Sequence, residues 1–295
     1  MTSSVSKKNA IGILGIGLLS VGSASILIKF CDAPALVITV YRLAIAAALY
    51  CIYARITGGP IHSAFSGKQL IWAAVSGAFL GVHFMTWIAS LKFTSVASSV
   101  ILVHTSPVYV AAAGYFFLKE KFSKLKILGM LLTLFGVMVI GFAVPDTGAD
   151  SLKGNLLALC GAVGCAGYLL IGKQLRNSVD TFRYVSVTYS VAALLSLACA
   201  VVHGDSLLAY PARIYVLFFL IAVIPQMIGH TSINWALKYF SVTTISFTIL
   251  GEPVIASVLA YIILGEALTL TKISGGILAL VGVILILLCE KNTNI

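Results

Sequence analysis

The chain is a succession of apolar runs, each about 20 residues long, separated by short polar breaks. The runs are continuous and lack the period-two alternation that a membrane β-barrel requires. Their length is the one at which a helix crosses the hydrocarbon of a bilayer. The pattern predicts ten helices, over 10–30, 35–55, 69–91, 96–118, 125–144, 155–173, 184–202, 214–237, 242–264 and 273–289. Gly, Pro and Ser mark the break TGGPIHSAFSGK, and charge marks KEKFSK. The polar stretch PDTGADSLKG is the boundary between halves. It gives a first five-helix unit over 1–144, a linker over 145–154 and a second unit over 155–295.

The two units are copies of one another. Leu91–Ile140 recurs as Leu237–Ile286 at a constant offset of 146, without a gap. The offset pairs Lys92 with Lys238, Pro107 with Pro253, Tyr115 with Tyr261, Glu120 with Glu266, Gly129 with Gly275 and Gly136 with Gly282. Shared apolarity would match Leu, Val and Ala, but not these residues in one register. A weaker continuation upstream sets Gly12 and Gly22 opposite Gly154 and Gly164 at an offset of 142. Five crossings per unit is an odd number, so the second unit lies upside down relative to the first, as in inverted-repeat transporters.

Composition agrees with this plan. Of 295 residues, 60% are hydrophobic and 9% charged, with mean hydropathy +1.08. A soluble protein of this length needs far less apolar material. The fold class is therefore an all-α polytopic membrane protein with ten transmembrane helices in two inverted repeats. The net charge of +10 is unevenly placed: 13 of the 19 Lys and Arg fall on the side of the N-terminus, five fall on the other, and Arg42 lies within helix 2. This asymmetry places both termini in the cytoplasm. It accounts for the charge without nucleic acid, and no basic–aromatic cluster of a nucleic-acid module occurs. The six cysteines, at 31, 51, 160, 165, 199 and 289, sit mostly in apolar runs without a C-x-x-C, which implies neither a disulfide framework nor a metal site. The opening MTSSVSKKNAIGILGIGLLSV is read as the first membrane helix, since no small-residue cleavage site precedes a soluble domain.

Polar residues within the runs are the candidates for function. Pro107 and Pro253 sit near the middles of helices 4 and 9 and free the carbonyls of Val103 and Ile249, predicting paired kinks. Glu252 is the one acid near the middle of a helix, and an ionisable group at that depth is a functional candidate by default. It shares a face with Thr244 and Thr248. Gln226, His230 and Asn234 form a second polar stripe, on helix 8 beyond Pro225; His83 and Trp87 form a pair on helix 3. His104, Thr105, Ser106 and Tyr109 complete the lining, with Trp235 and Phe247 as further aromatic wall. The competing reading of each is packing: a helix-to-helix hydrogen bond for Glu252 and the histidines, core or lipid contact for the aromatics. Arg42 is assigned a structural or gating role. The Gly129/Gly136 and Gly275/Gly282 pairs predict close helix contact. Glu120 and Glu266, just before Ser123 and Thr269, predict capping.

The segment GEPVIASVLAYIILGEALTLTKISGGILALVGVILIL, with its first copy SPVYVAAAGYFFLKEKFSKLKILGMLLTLFGVMVIGF, resembles EamA-type members of the drug/metabolite transporter superfamily. The resemblance is double and covers most of the chain. It implies ten helices, an inverted pseudo-twofold and a central path built largely from helices 3, 4, 8 and 9. On those helices the path residues are His83, Trp87, His104, Ser106, Pro107, Tyr109, Gln226, His230, Asn234, Thr248, Glu252 and Pro253. The expected function is secondary or facilitative transport of a small organic metabolite, with amino-acid export, aromatic amino acids included, ahead of nucleotide-like, sugar or drug substrates. The expected partners are a small-molecule substrate and the lipid bilayer, in a bacterial cytoplasmic membrane, with the protein a monomer or weak homodimer. No cofactor or metal is expected. ATP is not the direct energy source, because no Walker motif occurs. An enzyme would need a carboxylate cluster, H-E-x-x-H or G-x-S-x-G, and none occurs. A receptor or scaffold would not need matched prolines and polar stripes.

Overall fold

The computed structural model describes residues 7–58, 61–90, 93–94, 96–142 and 152–290. Most of the 145–154 linker and the tail from 291 lie outside the described residues. Among the described residues ten spans are long and apolar enough to cross a membrane: Lys8–Lys29, Ala35–Thr57, Gly67–Ser90, Ser99–Phe116, Lys124–Phe142, Leu152–Leu175, Thr181–His203, Ala212–Ala236, Val242–Leu264 and Leu270–Cys289, here spans 1 to 10. They match the expected helices to within a few residues. Span 7 starts three residues earlier than expected, because Asp180 caps it by accepting hydrogen bonds from the backbone N–H of Phe182 (2.9 Å) and Arg183 (3.3 Å).

Four spans are not continuous α-helices. Span 1 breaks at Ser23, between Lys7–Gly22 and Ala24–Lys29. Span 4 ends its first half, Val96–Val103, in a turn at His104–Thr105 and restarts as Ser106–Phe116. Span 9 does the same at Leu250–Gly251, between Val242–Ile249 and Glu252–Leu264. Span 8 widens into a π-helix over Ala222–His230, with Pro225 inside it. The prolines expected to kink spans 4 and 9 therefore do more: they stand in the first turn of a restarted helix, where the missing N–H has no partner to lose.

Helices that are apolar all round carry little information about which face meets which neighbour, so small residues set the contacts. Spans 5 and 10 pack along each other. A Cβ on Gly136 would stand 2.5 Å from the Gly275 carbonyl oxygen, and one on Gly275 would stand 2.7 Å from that of Gly136. Gly129 and Gly282 make the same reciprocal contact, at 2.8 and 2.5 Å. The pairing of 129 with 282 and 136 with 275 is antiparallel, as two inverted copies of one helix must be. Span 1 meets span 8 as span 6 meets span 3. A Cβ on Gly17 would lie 3.2 Å from Gly229 O, and one on Gly164 would lie 2.9 Å from His83 N. These contacts relate Gly17 to Gly164 at an offset of 147. The 142 register fits less well: Gly12 has nothing within 4 Å, whereas a Cβ on Gly154 would lie 2.6 Å from Thr94.

One end of the bundle is tied by a buried polar cluster around the span 8–9 turn. Glu290, just past span 10, accepts from Ser241 N–H (2.6 Å), Thr244 Oγ1 (2.5 Å) and Lys126 Nζ (3.2 Å). Lys173 of span 6 donates to the carbonyls of Leu237 (2.8 Å) and Phe240 (2.9 Å). Spans 5, 6, 9 and 10 are thereby joined. The other end has a more exposed pair, Lys29 with Glu266 at 2.7 Å. Helix caps at the repeat-equivalent positions are Ser123 and Thr269 themselves, which accept from Lys126 N–H and Lys272 N–H, each at 3.2 Å. Glu266 is thus an ion-pair partner in place of the expected cap.

Two outcomes follow. Gly136→Ala places a Cβ within 2.5 Å of backbone on span 10, so thermal unfolding in detergent should show a loss of about 1–3 kcal/mol, with Gly12→Ala as the neutral control. Equal melting of the two variants would contradict the close crossing. Burial alone would raise the Glu290 carboxyl, but Lys126, Thr244 and the Ser241 N–H outweigh it and hold the group below the usual carboxylate range. A depressed native value stabilises above the unfolded value and loses that contribution as pH falls through the native one. Glu290→Gln should therefore lower stability by roughly 3 kcal/mol at neutral pH, with the gap to the parent closing below about pH 4. A gap that does not change with pH would show that the charge is irrelevant.

Candidate functional site

The breaks in spans 1, 4, 8 and 9 meet around one cavity. Span 4 contributes Val103, His104 and Ser106; span 9 contributes Ile249 and Glu252. Val103 and Ile249 are the last residues of the first half-helices of spans 4 and 9. Span 3 adds His83, Phe84 and Trp87, and span 8 adds His230 and Ile233. The remaining wall comes from spans that the expected path did not include: Val21 and Ala24 of span 1, Arg42 of span 2, and Cys165, Tyr168 and Leu169 of span 6. The free space is about 50 Å³, enough for a few waters. An organic solute needs the spans to move apart.

Arg42 is buried, at 2% exposure. Its Nε donates to Gln226 Oε1 at 2.6 Å, and its guanidinium carbon lies 4.2 Å from the centre of the Phe84 ring. Nη2 has no partner. Glu252 is the first residue of its half-helix, where the N-terminal end of the helix dipole favours a carboxylate. Among the described residues neither Arg42 nor Glu252 forms an ion pair. His83 Nδ1 lies 2.9 Å from Gly161 O, and His104 Nδ1 lies 2.8 Å from Val100 O. A carbonyl only accepts, so in both rings Nδ1 carries the proton and a neutral ring keeps Nε2 as an acceptor. The His83 ring lies parallel to Trp87 at 6.2 Å, and His230 meets Phe84 edge-on at 5.4 Å. Trp87 Nε1 and His230 Nδ1 also lack partners. Among the described residues, no three His, Cys, Asp or Glu side chains converge as metal ligands would.

Six of the twelve residues singled out in the sequence line this cavity: His83, Trp87, His104, Ser106, His230 and Glu252. Four stand behind it. Gln226 holds Arg42. Asn234 donates to Tyr168 Oη and to the His230 carbonyl. Pro107 and Pro253 are buried in the restarts of spans 4 and 9. Thr248 bonds its own helix, to Thr244 O at 2.8 Å. Tyr109 is 39% exposed beside exposed Val108 and takes no part in the wall; the restart at Ser106 turns Val110 and Ala111 inward instead. Phe247 packs with Leu250 and Ala279 in a separate cluster, and Trp235 packs on Tyr239 at 4.4 Å. The aromatic wall is Phe84, Trp87 and Tyr168. Arg42 carried a signal in the sequence, as the one base deep inside an apolar run. Tyr168 and Cys165 carried none, because a Gly-rich helix apolar on every side does not announce its inward face.

Both halves match the EamA-like transporter family, over residues 9–142 and 152–288. An uncharacterized transporter of Clostridium kluyveri is 27% identical over 238 residues, 78% of this chain and 76% of that protein. The uncharacterized transporter YxxF of Bacillus subtilis is 21% identical and aligns over 98% of this chain and 93% of its own length. A protein known from a crystal structure superposes with a TM-score of 0.81 at 17% identity, over 96% of this chain and 99% of that one, and so shares the fold. Two family matches that together span nearly the whole chain decide its membership: the protein belongs to the EamA-like transporter family and is an integral membrane transporter, not an enzyme.

Proposed function

We propose that the protein is a secondary or facilitative transporter of small organic metabolites that exports amino acids, aromatic ones included, by alternating access. Its setting is a bacterial cytoplasmic membrane, with both termini in the cytoplasm, and its working state is a monomer or weak homodimer. The observation that carries this reading is one cavity, at the crossing of the two repeats, that combines an aromatic wall with a guanidinium and a carboxylate. Sugars would leave the two charged groups unanswered, and inorganic ions would leave the wall of Phe84, Trp87 and Tyr168 without a partner. The cavity is smaller than any such solute, and part of its wall comes from the interrupted spans 1, 4, 8 and 9. These features support a cycle in which the two repeats rock about the site. A receptor or scaffold would have no use for such a cavity between mobile halves.

Purified protein in liposomes should accelerate the flux of labelled leucine or phenylalanine over protein-free liposomes, with glucose and thymidine at background. Trp87→Ala should weaken transport of phenylalanine by about tenfold, the order expected for loss of a large buried aromatic contact. Unchanged transport in a folded variant would remove the aromatic wall from the account. For orientation, cysteines placed at Thr57 and Asn292 should react with an impermeant reagent from the cytoplasmic side, and one at Gly148 from the other, as the charge asymmetry requires. Reaction of Thr57 and Asn292 positions from opposite sides would overturn the assignment.

A further inference from the structure

We propose that Arg42 and Glu252 form a bipolar clamp that takes the carboxylate and the ammonium group of a single zwitterionic solute. The inference rests on the transport reading and assigns each end of the solute to a named group. The Arg42 guanidinium is fixed on two sides, by Gln226 at Nε and by the Phe84 ring against its face. One corner, Nη2, remains without an acceptor. An N–H of a buried cation has a strong demand for an acceptor, and no protein group supplies one to Nη2. Trp87 Nε1, a group that can only donate, is unmet in the same cavity. The two donors suit a carboxylate.

The acceptors belong to other spans. Glu252 opens the second half of span 9, and the bonds that His83 and His104 make through Nδ1 leave each neutral ring an acceptor at Nε2. They suit an ammonium group. Arg42 and Glu252 face the cavity together yet make no ion pair with each other. Each is an opposite charge that the other feels without touching it, so an anion on Arg42 alone would weaken the balance at Glu252, and a cation on Glu252 alone would weaken it at Arg42. A zwitterion answers both and leaves the net charge of the site unchanged. Because Arg42 lies in the first repeat and Glu252 in the second, the bound solute also bridges the two bodies that must move.

The test compares three molecules of nearly one shape on the purified protein, with binding read by calorimetry: L-phenylalanine, phenylalaninol, which lacks the carboxylate, and 3-phenylpropionate, which lacks the ammonium group. The leucine series runs in parallel. Each amino acid should bind at least about tenfold more tightly than either analogue, the loss expected when one charged hydrogen-bonded group is left unanswered. Arg42→Gln should bring phenylalanine down to the level of phenylalaninol without weakening phenylalaninol. Glu252→Gln should bring it down to the level of 3-phenylpropionate without weakening that acid. The comparison on the unaltered protein stands even where a variant fails to fold. Equal binding of the three, no binding of any common amino acid, or tighter binding of glucose or thymidine overturns the clamp. Flux in liposomes separates the two claims: accelerated flux of some solute with no preference for zwitterions overturns the clamp alone, whereas no accelerated flux of any of these compounds overturns the transport reading as well.

Discussion

Within the hydrocarbon layer water is absent, so each backbone and side-chain polar group has to be answered inside the protein or around a wet cavity. That constraint organises this molecule. A broken helix is costly in lipid, yet spans 1, 4, 8 and 9 all depart from the α-helix within their length, and residues from all four reach the same cavity. The π-helical stretch of span 8 is answered from outside its own ladder: Tyr50 Oη donates to Met227 O at 2.9 Å. The second halves of spans 4 and 9 start at Ser106 and Glu252, both in the cavity wall, and the N-terminal end of a helix favours a carboxylate.

Magnitudes show how little surplus the cavity holds. A guanidinium at the centre of a membrane helix is unfavourable by roughly 3 kcal/mol on insertion scales. One charge-assisted hydrogen bond returns about 1.5–3 kcal/mol, and a desolvated cation–π contact returns about 2 kcal/mol. Gln226 and Phe84 together approximately offset the burial of Arg42, which keeps it in place without satisfying it. Behind the cavity Asn234 Nδ2 donates to Tyr168 and to the His230 carbonyl, and Gln226 Oε1 holds Arg42. Away from the centre, the glycine crossing of spans 5 and 10 holds the repeats together through shape, and the cluster around Glu290 ties one end through charge.

The spans and the repeat were readable because they depend on length, apolarity and register, all local properties. Glu252, His83, His230 and Trp87 were readable because a polar group at membrane depth is conspicuous. Tyr109 was misleading: it stands three residues from Ser106, but the buried face of the restarted half-helix runs through Ser106, Pro107, Val110, Ala111 and Gly114 and leaves Tyr109 outside it. The contact of Arg42 with Gln226 joins residues 184 apart in sequence, and no spacing rule reaches that far. Tyr168 lies in a run in which every face is apolar, so only packing against Asn234 and the neighbouring spans reveals where it points. The break at Ser23 has no proline to mark it.

The central claim is that one cavity, walled by both repeats, is reached in turn from each side of the membrane. Ser106 lines it at 8% exposure, at the restart of span 4. A cysteine at this position, in a chain whose six native cysteines are replaced, tests the claim with an impermeant thiol reagent applied to one face of oriented liposomes at a time. The account predicts modification from both faces, slowed from both by saturating transported solute. Modification from one face only, whatever the direction of the solute gradient, would contradict it.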